Sequence, residues 1–253
     1  MTQLAVLLGS GIGYSASPAM HNAAFTALEM DARYELRDVA TYDLAREVDA
    51  LREPDAIGAN VTQPFKIDVC RLVDELAPEV SRLGAANTIV RVGHRLVAYN
   101  TDLPALAAEL PPTVRRAVVL GAGGAARAVL AALASAGCTE TLVVDRAHWH
   151  NLPGALVTAD LLINATPIGT DSDESPVPPH LLRPDLNVLD LVYRPTPSRL
   201  VREARKHGAS ARGGAGVLLR QAASSFQLWT GRQPPIDVMR EALDRELEAK
   251  TGV

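Results

Sequence analysis

The sequence lacks the features that would tie it to nucleic acid, to a membrane or to an oxidising compartment. Twenty-five lysines and arginines are set against 29 acidic residues, a net charge of −4, and no run of Lys or Arg is long enough to track a phosphate backbone. Nucleic acid and membrane surfaces are therefore not expected partners. The N-terminal apolar run, Leu4–Leu8, has no basic leader and meets Gly9 too soon for a signal peptide or a membrane span, so it reads as a first β-strand. Only two cysteines are present, Cys70 and Cys138, far apart and without metal-type spacing. They predict free thiols in a reducing, cytoplasmic setting and no metal site. With 47% hydrophobic and 21% charged residues in 253 positions, the chain can bury one large core or two modest ones.

Short apolar runs, often β-branched, recur at Leu4–Leu8, Ala56–Val61, Val118–Leu120, Leu142–Val144, Leu161–Ala165 and Val188–Val192, with Ala-rich or amphipathic stretches between several of them. Strands alternating with helices predict an α/β fold with mostly parallel sheets. Asn87–Tyr99 differs, because two strand-like runs flank Gly93-His94, the pattern of a β-hairpin. A domain boundary is expected after Asp102, since Pro111-Pro112 precedes a fresh strand-turn-helix unit. Val217–Leu247 reads as helical chain able to pack back on the first half, and Thr170–Pro179 as a surface loop.

Ala117–Leu120 runs into Gly121-Ala-Gly-Gly-Ala-Ala126, and a strong helix former follows as far as Gly137. This is the context of a dinucleotide loop. Gly121 permits the tight turn, Gly123 lets the backbone approach a pyrophosphate, Gly124 and Ala125 continue the exposed backbone, and small Ala126 lets helix and strand pack closely. A bare βα turn and a methyltransferase loop use the same pattern. The next strand ends at Asp145, where an acidic residue would accept the ribose hydroxyls of NAD.

Ser15-Ala-Ser17-Pro18 follows a glycine loop, with Ser17 as the expected N-cap of a helix running to about Met30. The start of that helix is either a plain cap or a seat for a carboxylate. Beyond the Ala56–Val61 strand, Thr62-Gln-Pro-Phe-Lys66 places a lysine where ligands of open α/β sheets bind, and Asn100-Thr-Asp102 closes another strand. Each charge alone fits a solvated surface. Together at strand ends, Lys66 and Asp102 could exchange a proton with a hydroxyl, with Asn60, Thr62 and Asn87 beside them to hydrogen-bond a polyhydroxylated ring.

The ordered set Ser15-Ala-Ser-Pro-Ala-Met-His-Asn22, Asn60-Val-Thr-Gln-Pro-Phe-Lys66, Gly84-Ala-Ala-Asn-Thr88, Asn100-Thr-Asp102, Gly121-Ala-Gly-Gly-Ala-Ala126, Asn164-Ala-Thr-Pro-Ile-Gly169, Gln221-Ala-Ala223 and Leu228-Trp-Thr-Gly231 resembles the shikimate/quinate dehydrogenase family over nearly the whole chain. The resemblance implies a discontinuous α/β substrate domain, residues 1–103 with 221–253, and a Rossmann-like dinucleotide domain, 104–220, with the active site in the cleft. It implies reversible NADPH-linked reduction of 3-dehydroshikimate to shikimate, a step toward chorismate and the aromatic amino acids. Ser15 and Ser17 would hold the carboxylate, and Asn60, Thr62, Asn87, Asp102 and Gln221 the ring. Lys66 would be the acid/base residue, oriented by Asp102. Tyr193, Thr166 and Gly214 match positions near substrate or nicotinamide. The protein would be a monomer or homodimer.

Two departures stand out. The family usually has proline at the position of Gly11 and histidine at that of Tyr14, so a more flexible first loop is expected. After the strand that ends the dinucleotide loop unit, NADP-using members read Asn-Arg-Thr where this chain reads Asp145-Arg-Ala-His148. Asp145 would repel a 2'-phosphate, while Arg146 could pair with one. Arg146 to Asp160 leaves room for little more than a minimal crossover, which predicts a truncated cofactor domain. The expected cofactor is NADP, with NAD as the alternative. A quinate-oxidising enzyme and a non-catalytic ligand-binding relative with an impaired cofactor site are the competing expectations.

Overall fold

Each of the six apolar runs becomes a strand in the computed structural model, which describes residues 2–251. Two units form: Met1–Asp102 with Leu219–Lys250, and Leu103–Leu218. The first begins with β1 (Gln3–Gly9), α1 (Ser17–Ala27), β2 (Ala32–Asp38), α2 (Leu44–Asp49) and β3 (Ala56–Val61). It continues through β4 (Glu75–Leu76), α3 (Pro78–Leu83), β5 (Thr88–Val92) and β6 (Arg95–Tyr99). The six strands lie in the order β2-β1-β3-β5-β6-β4. β1 is parallel to β2 and β3, but β5 runs antiparallel to both β3 and β6, so the expectation of mostly parallel sheets is corrected to a mixed one here. The hairpin is the cause, since a two-residue turn at Gly93-His94, with Gly93 at φ +64°, can only reverse the chain.

That reversal decides where the site forms. With Asn60 paired to Thr88, and Thr88 to Tyr99, the C-terminal ends of β3 and β6 and the start of β5 meet at one sheet edge. One sheet face packs a core of Val6, Leu8, Ala59, Val61, Phe65, Val69, Val80, Ile89 and Leu96. Ten or so fully buried aliphatic and aromatic side chains, at about 1.5–3 kcal/mol each, are what hold that edge rigid.

The second unit follows α4 (Asp102–Glu109) with β7 (Arg116–Leu120), α5 (Gly124–Ser135), β8 (Glu140–Val144), α6 (Leu152–Leu156), β9 (Leu161–Asn164), β10 (Asn187–Asp190), α7 (Arg199–Lys206) and β11 (Ser210–Gly213). Its five strands, in the order β11-β10-β9-β7-β8, are all parallel. The predicted stop at Gly137 takes a definite form. Gly137, at φ +79°, donates its amide to Ala134 and Cys138 donates to Leu133, the paired bonds that close a helix C-terminus. Between β8 and β9 stand only a 3-10 turn, Arg146–Asn151, and α6.

The tail forms α8 (Ala215–Thr230) and α9 (Ile236–Thr251), separated at Gly231, which has φ +66°. Trp229 fastens α8 to the first sheet: its indole N–H donates to the Ile89 carbonyl at 2.9 Å. Gly58 makes this possible, because a Cβ there would lie 2.3 Å from the Ile89 oxygen and 2.4 Å from the Trp229 ring nitrogen. Any side chain at residue 58 would push the tryptophan off the sheet.

Candidate functional site

The first unit gathers polar side chains at the sheet edge just described. Lys66 sits in the turn beyond β3, where its own carbonyl accepts the Ala86 amide at 2.8 Å. Its ammonium lies 2.7 Å from Asp102 Oδ2, and both side chains are mostly shielded, 25% and 18% exposed. Asn87 donates through Nδ2 to Asp102 Oδ1 at 2.8 Å and to Thr101 Oγ1 at 3.0 Å. The orientation of that amide is forced. The Thr101 backbone N–H, which can only donate, points at Asn87 Oδ1 from 2.7 Å, so the NH₂ group must face the carboxylate. The result is an ammonium and a carboxylate in contact, the carboxylate braced by an amide and both within reach of solvent. Such a pair can deliver a proton to an oxygen and draw it back.

Thr62 stands at the start of the same turn, half-buried, with its amide on the Leu8 carbonyl and its methyl against the face of Gly9. Asn60 is buried one step behind the edge, and Tyr34 donates to its Oδ1 at 2.9 Å. Gln221, also buried, lies on α8.

The two serines differ from expectation in one respect. Ser17 is the first residue of α1, not its N-cap; Ala16 takes that place and no side chain caps the helix. The chain turns helical a residue early because Ser15 Oγ accepts the Ser17 amide at 3.2 Å, while also donating to Ser17 Oγ at 3.2 Å. The helix also ends at Ala27 rather than near Met30, where Glu29 at φ +51° reverses the chain into β2. In the loop ahead of the serines both carboxylate oxygens of Asp38 accept the Gly11 amide, at 3.0 and 3.2 Å. Gly11 sits at φ +65°, a conformation closed to proline.

The remaining candidates belong to the second unit. Gly121 is at φ +97°, and Thr166 closes over it, its methyl 3.1 Å from where a Cβ would be. Gly123 and Gly124 have open space at the same point, and α5 starts on Gly123 with no side chain on its first amides, Ala125 half-exposed and Ala126 buried against the sheet. This is a cradle shaped for an anion beside bare backbone. Thr166's hydroxyl is spent on the loop itself, donating to Asn164 at 2.6 Å and accepting the Ile168 amide. Gly214 admits no side chain, since a Cβ would lie 2.2 Å from the Leu191 carbonyl, and Tyr193 is half-buried just beyond β10.

At the end of β8, Asp145 folds its carboxylate back on the following turn. Oδ1 accepts the amides of Ala147 and His148 at 3.0 Å each and meets His148 Nδ1 at 2.7 Å. The His148 contact, with the two amides, holds the Asp145 carboxyl below the usual range. Arg146 is exposed beside it.

Several residues of these networks escaped the sequence reading: Tyr34, Asp38, Thr88, Thr101 and Ser225 around the first site, and buried Asp190 in the second unit. Burial raises the Asp190 pKa, yet its carboxylate is well partnered, accepting Ser198 Oγ at 2.5 Å, Asn164 Nδ2 at 2.8 Å and the Val192 amide at 3.0 Å. It locks the loop that carries Tyr193. Among the described residues no group of His, Cys, Asp and Glu could hold a metal ion, and no helix is long and apolar enough to cross a membrane.

Two family models match the chain, the shikimate dehydrogenase substrate binding domain over residues 7–89 and the shikimate 5'-dehydrogenase C-terminal domain over 214–243. Shikimate dehydrogenase (NADP(+)) of Symbiobacterium thermophilum is 38% identical, over 96% of this chain and 94% of its own. The structure of shikimate 5-dehydrogenase from Thermus thermophilus in complex with NADP(H) and shikimate matches with a TM-score of 0.87 at 35% identity, covering 97% of this chain and 100% of that one. Quinate dehydrogenase from Corynebacterium glutamicum in complex with NAD matches with a TM-score of 0.85 at 26% identity, covering 96% and 99%.

Proposed function

As the chain belongs to the shikimate dehydrogenase family, we propose that it catalyses the reversible NADPH-linked reduction of 3-dehydroshikimate to shikimate, a step of chorismate and aromatic amino-acid biosynthesis, in the cytoplasm. The observation that carries this reading is the 2.7 Å Lys66–Asp102 pair braced by Asn87. Residues 1–103 with 221–253 are assigned to substrate binding and catalysis, and 104–220 to the dinucleotide.

Ser15 and Ser17, with the uncapped start of α1, receive the substrate carboxylate. Asn60, Thr62, Asn87, Asp102 and Gln221 read the ring hydroxyls, and Tyr193 is also assigned to the substrate. NADPH supplies a hydride to the C3 carbonyl carbon when bound. Lys66 gives its proton to the oxygen that becomes the hydroxyl, and Asp102 keeps the ammonium aimed there; in the oxidation direction Lys66 takes the proton back.

The cradle at Gly121, Gly123, Gly124, Ala125 and Ala126 suits a pyrophosphate, with Thr166 packed on Gly121, and Gly214 is also assigned to the dinucleotide. Arg146 pairs with the 2'-phosphate of NADP. Asp145 opposes it less than its charge alone suggests, because the carboxylate is turned into its own capping bonds. We read the brief crossover between β8 and β9 as a reduced adenosine-side wall, which makes Arg146 matter more. A second reading, NAD-linked quinate oxidation, draws on Asp145, the residue type that accepts ribose hydroxyls.

The test is direct. Shikimate with NADP should give the absorbance of the reduced nicotinamide, and Lys66→Ala should lower kcat about 10²- to 10⁴-fold while shikimate still binds. Tight binding without turnover in the parent would make the protein a non-catalytic relative; a Lys66→Ala enzyme as fast as the parent would remove Lys66 from the chemistry.

A further inference from the structure

Behind the Lys66–Asp102 pair lies a closed set of buried hydrogen-bonding side chains that no surface motif announces. Ser225, on α8 and fully buried, is its hub. Its Oγ lies 2.9 Å from Asn60 Nδ2, 2.9 Å from Thr88 Oγ1, 3.2 Å from Thr101 Oγ1 and 2.9 Å from the Gln221 carbonyl. A hydroxyl has one proton to give and two lone pairs to fill, and two of the neighbours fix the direction of their bonds to Ser225. Gln221's carbonyl can only accept and Asn60's NH₂ can only donate, so Ser225 gives its proton to the first and takes one from the second. The third bond comes from a threonine hydroxyl: Thr88 lies 2.9 Å from Ser225 Oγ and 3.1 Å from Asn87 Oδ1, Thr101 3.2 Å from each, so one of the two donates to Ser225 and the other to Asn87. Thr101 Oγ1 in turn accepts from the Asn87 NH₂ group, whose other bond goes to Asp102.

We propose that Ser225 is a positioning residue for the reaction: by accepting the Asn60 amide and one of the Thr88 and Thr101 hydroxyls it fixes Asn87, and through Asn87 the carboxylate that aims Lys66. The same chain of bonds runs on to Tyr34, which donates to Asn60 Oδ1 at 2.9 Å, and α8 inserts Ser225 into this buried scaffold one turn after Gln221. Removing the Ser225 hydroxyl leaves that threonine without its acceptor. Both threonine hydroxyls then compete with the Thr101 amide for Asn87 Oδ1. The Asn87 amide that braces Asp102 loosens, while Ser15 and Ser17, assigned to the carboxylate, keep their places.

This rests on the shikimate dehydrogenase reading, and the experiment separates the two. Ser225→Ala keeps a good helix former in α8, so the fold should hold. Expected is a kcat about 3- to 10-fold lower, a KM for shikimate within about twofold of the parent, and a larger solvent deuterium isotope effect on kcat as proton delivery becomes more limiting. Thr101→Val removes the next hydroxyl in the same line; combined with Ser225→Ala it should cost little more than the worse single change, because both act through Asn87. An active parent whose Ser225→Ala variant keeps its kcat and isotope effect overturns the positioning role, as do additive losses in the pair. A parent with no shikimate turnover overturns the functional reading itself, and the proposal with it.

Discussion

His21 offers the sharpest test of the interior, because its chemistry disagrees with its surroundings. The ring is wholly buried, stacks on Tyr34 with centroids 4.4 Å apart, lies 5.1 Å from Trp229, and neither nitrogen has a hydrogen-bond partner. Burial pushes its pKa from the usual 6.5 down to about 3. The folded state therefore binds fewer protons than the unfolded chain. The stability this neutral ring allows is fully present above about pH 6.5 and drains away as pH falls toward about 3, at about 1.4 kcal/mol per unit. Between about pH 7 and pH 4.5 the loss from this one residue is about 2–3 kcal/mol. His21→Leu, near in volume and unable to titrate, should lack it. Urea unfolding followed by Trp229 fluorescence, in a Trp149→Phe background that silences the other tryptophan, reads the unit that holds the ring. The parent should lose about 2–3 kcal/mol more than the leucine variant on acidification. Parallel losses in the two proteins would refute a neutral, unpartnered imidazole.

Two further outcomes follow from the sites. Paired Ser15→Ala and Ser17→Ala changes should raise the KM for shikimate about 10-fold or more with a smaller effect on kcat, since a carboxylate loses two hydroxyl donors; a folded variant with the parental KM would send the carboxylate elsewhere. Arg146→Ala should weaken NADP far more than NAD in a nucleotide-binding titration, and Asp145→Asn, which keeps a capping side chain, should favour NADP; a parent that prefers NAD, with Arg146→Ala indifferent, would show Asp145 reading the ribose.

The elements that escape a sequence reading have a common physical cause. β2 and β11 give little strand signal because each is an edge strand with a single neighbour. Ala32-Arg-Tyr-Glu-Leu-Arg-Asp38 buries only Tyr34, and Ser210-Ala-Arg-Gly213 only Ala211, so neither shows the apolar run that marks a strand covered on both sides. The central strands of both sheets announce themselves because both their faces are buried. The mixed character of the first sheet is half visible: Gly93-His94 marks the hairpin, but an antiparallel hairpin joined to parallel strands is a matter of which edge it meets, and pairing between distant runs leaves no local signal.

At the site the division runs by depth. Lys66, Asn87 and Asp102 lie at strand ends, where turn chemistry and charge make a residue conspicuous, and the structure brings these three into contact. Thr88, Thr101 and Ser225 are small, neutral and wholly enclosed, and in a sequence a buried hydroxyl on a strand or helix looks like any packing residue. Their weight comes from a constraint visible only in three dimensions. Every donor in a dry interior needs an acceptor, so a few obligate donors and acceptors (the Thr101 amide, the Asn60 NH₂, the Gln221 carbonyl) dictate the direction of the bonds they make. That directionality reaches the surface as the orientation of one amide. If the Asn87 side chain were flipped, its oxygen would face the Asp102 carboxylate and its NH₂ the Thr101 N–H, two repulsive contacts in place of two good bonds. The reactive pair is thus held less by its own ion pairing, which solvent can weaken, than by a proton-counting rule enforced from beneath it.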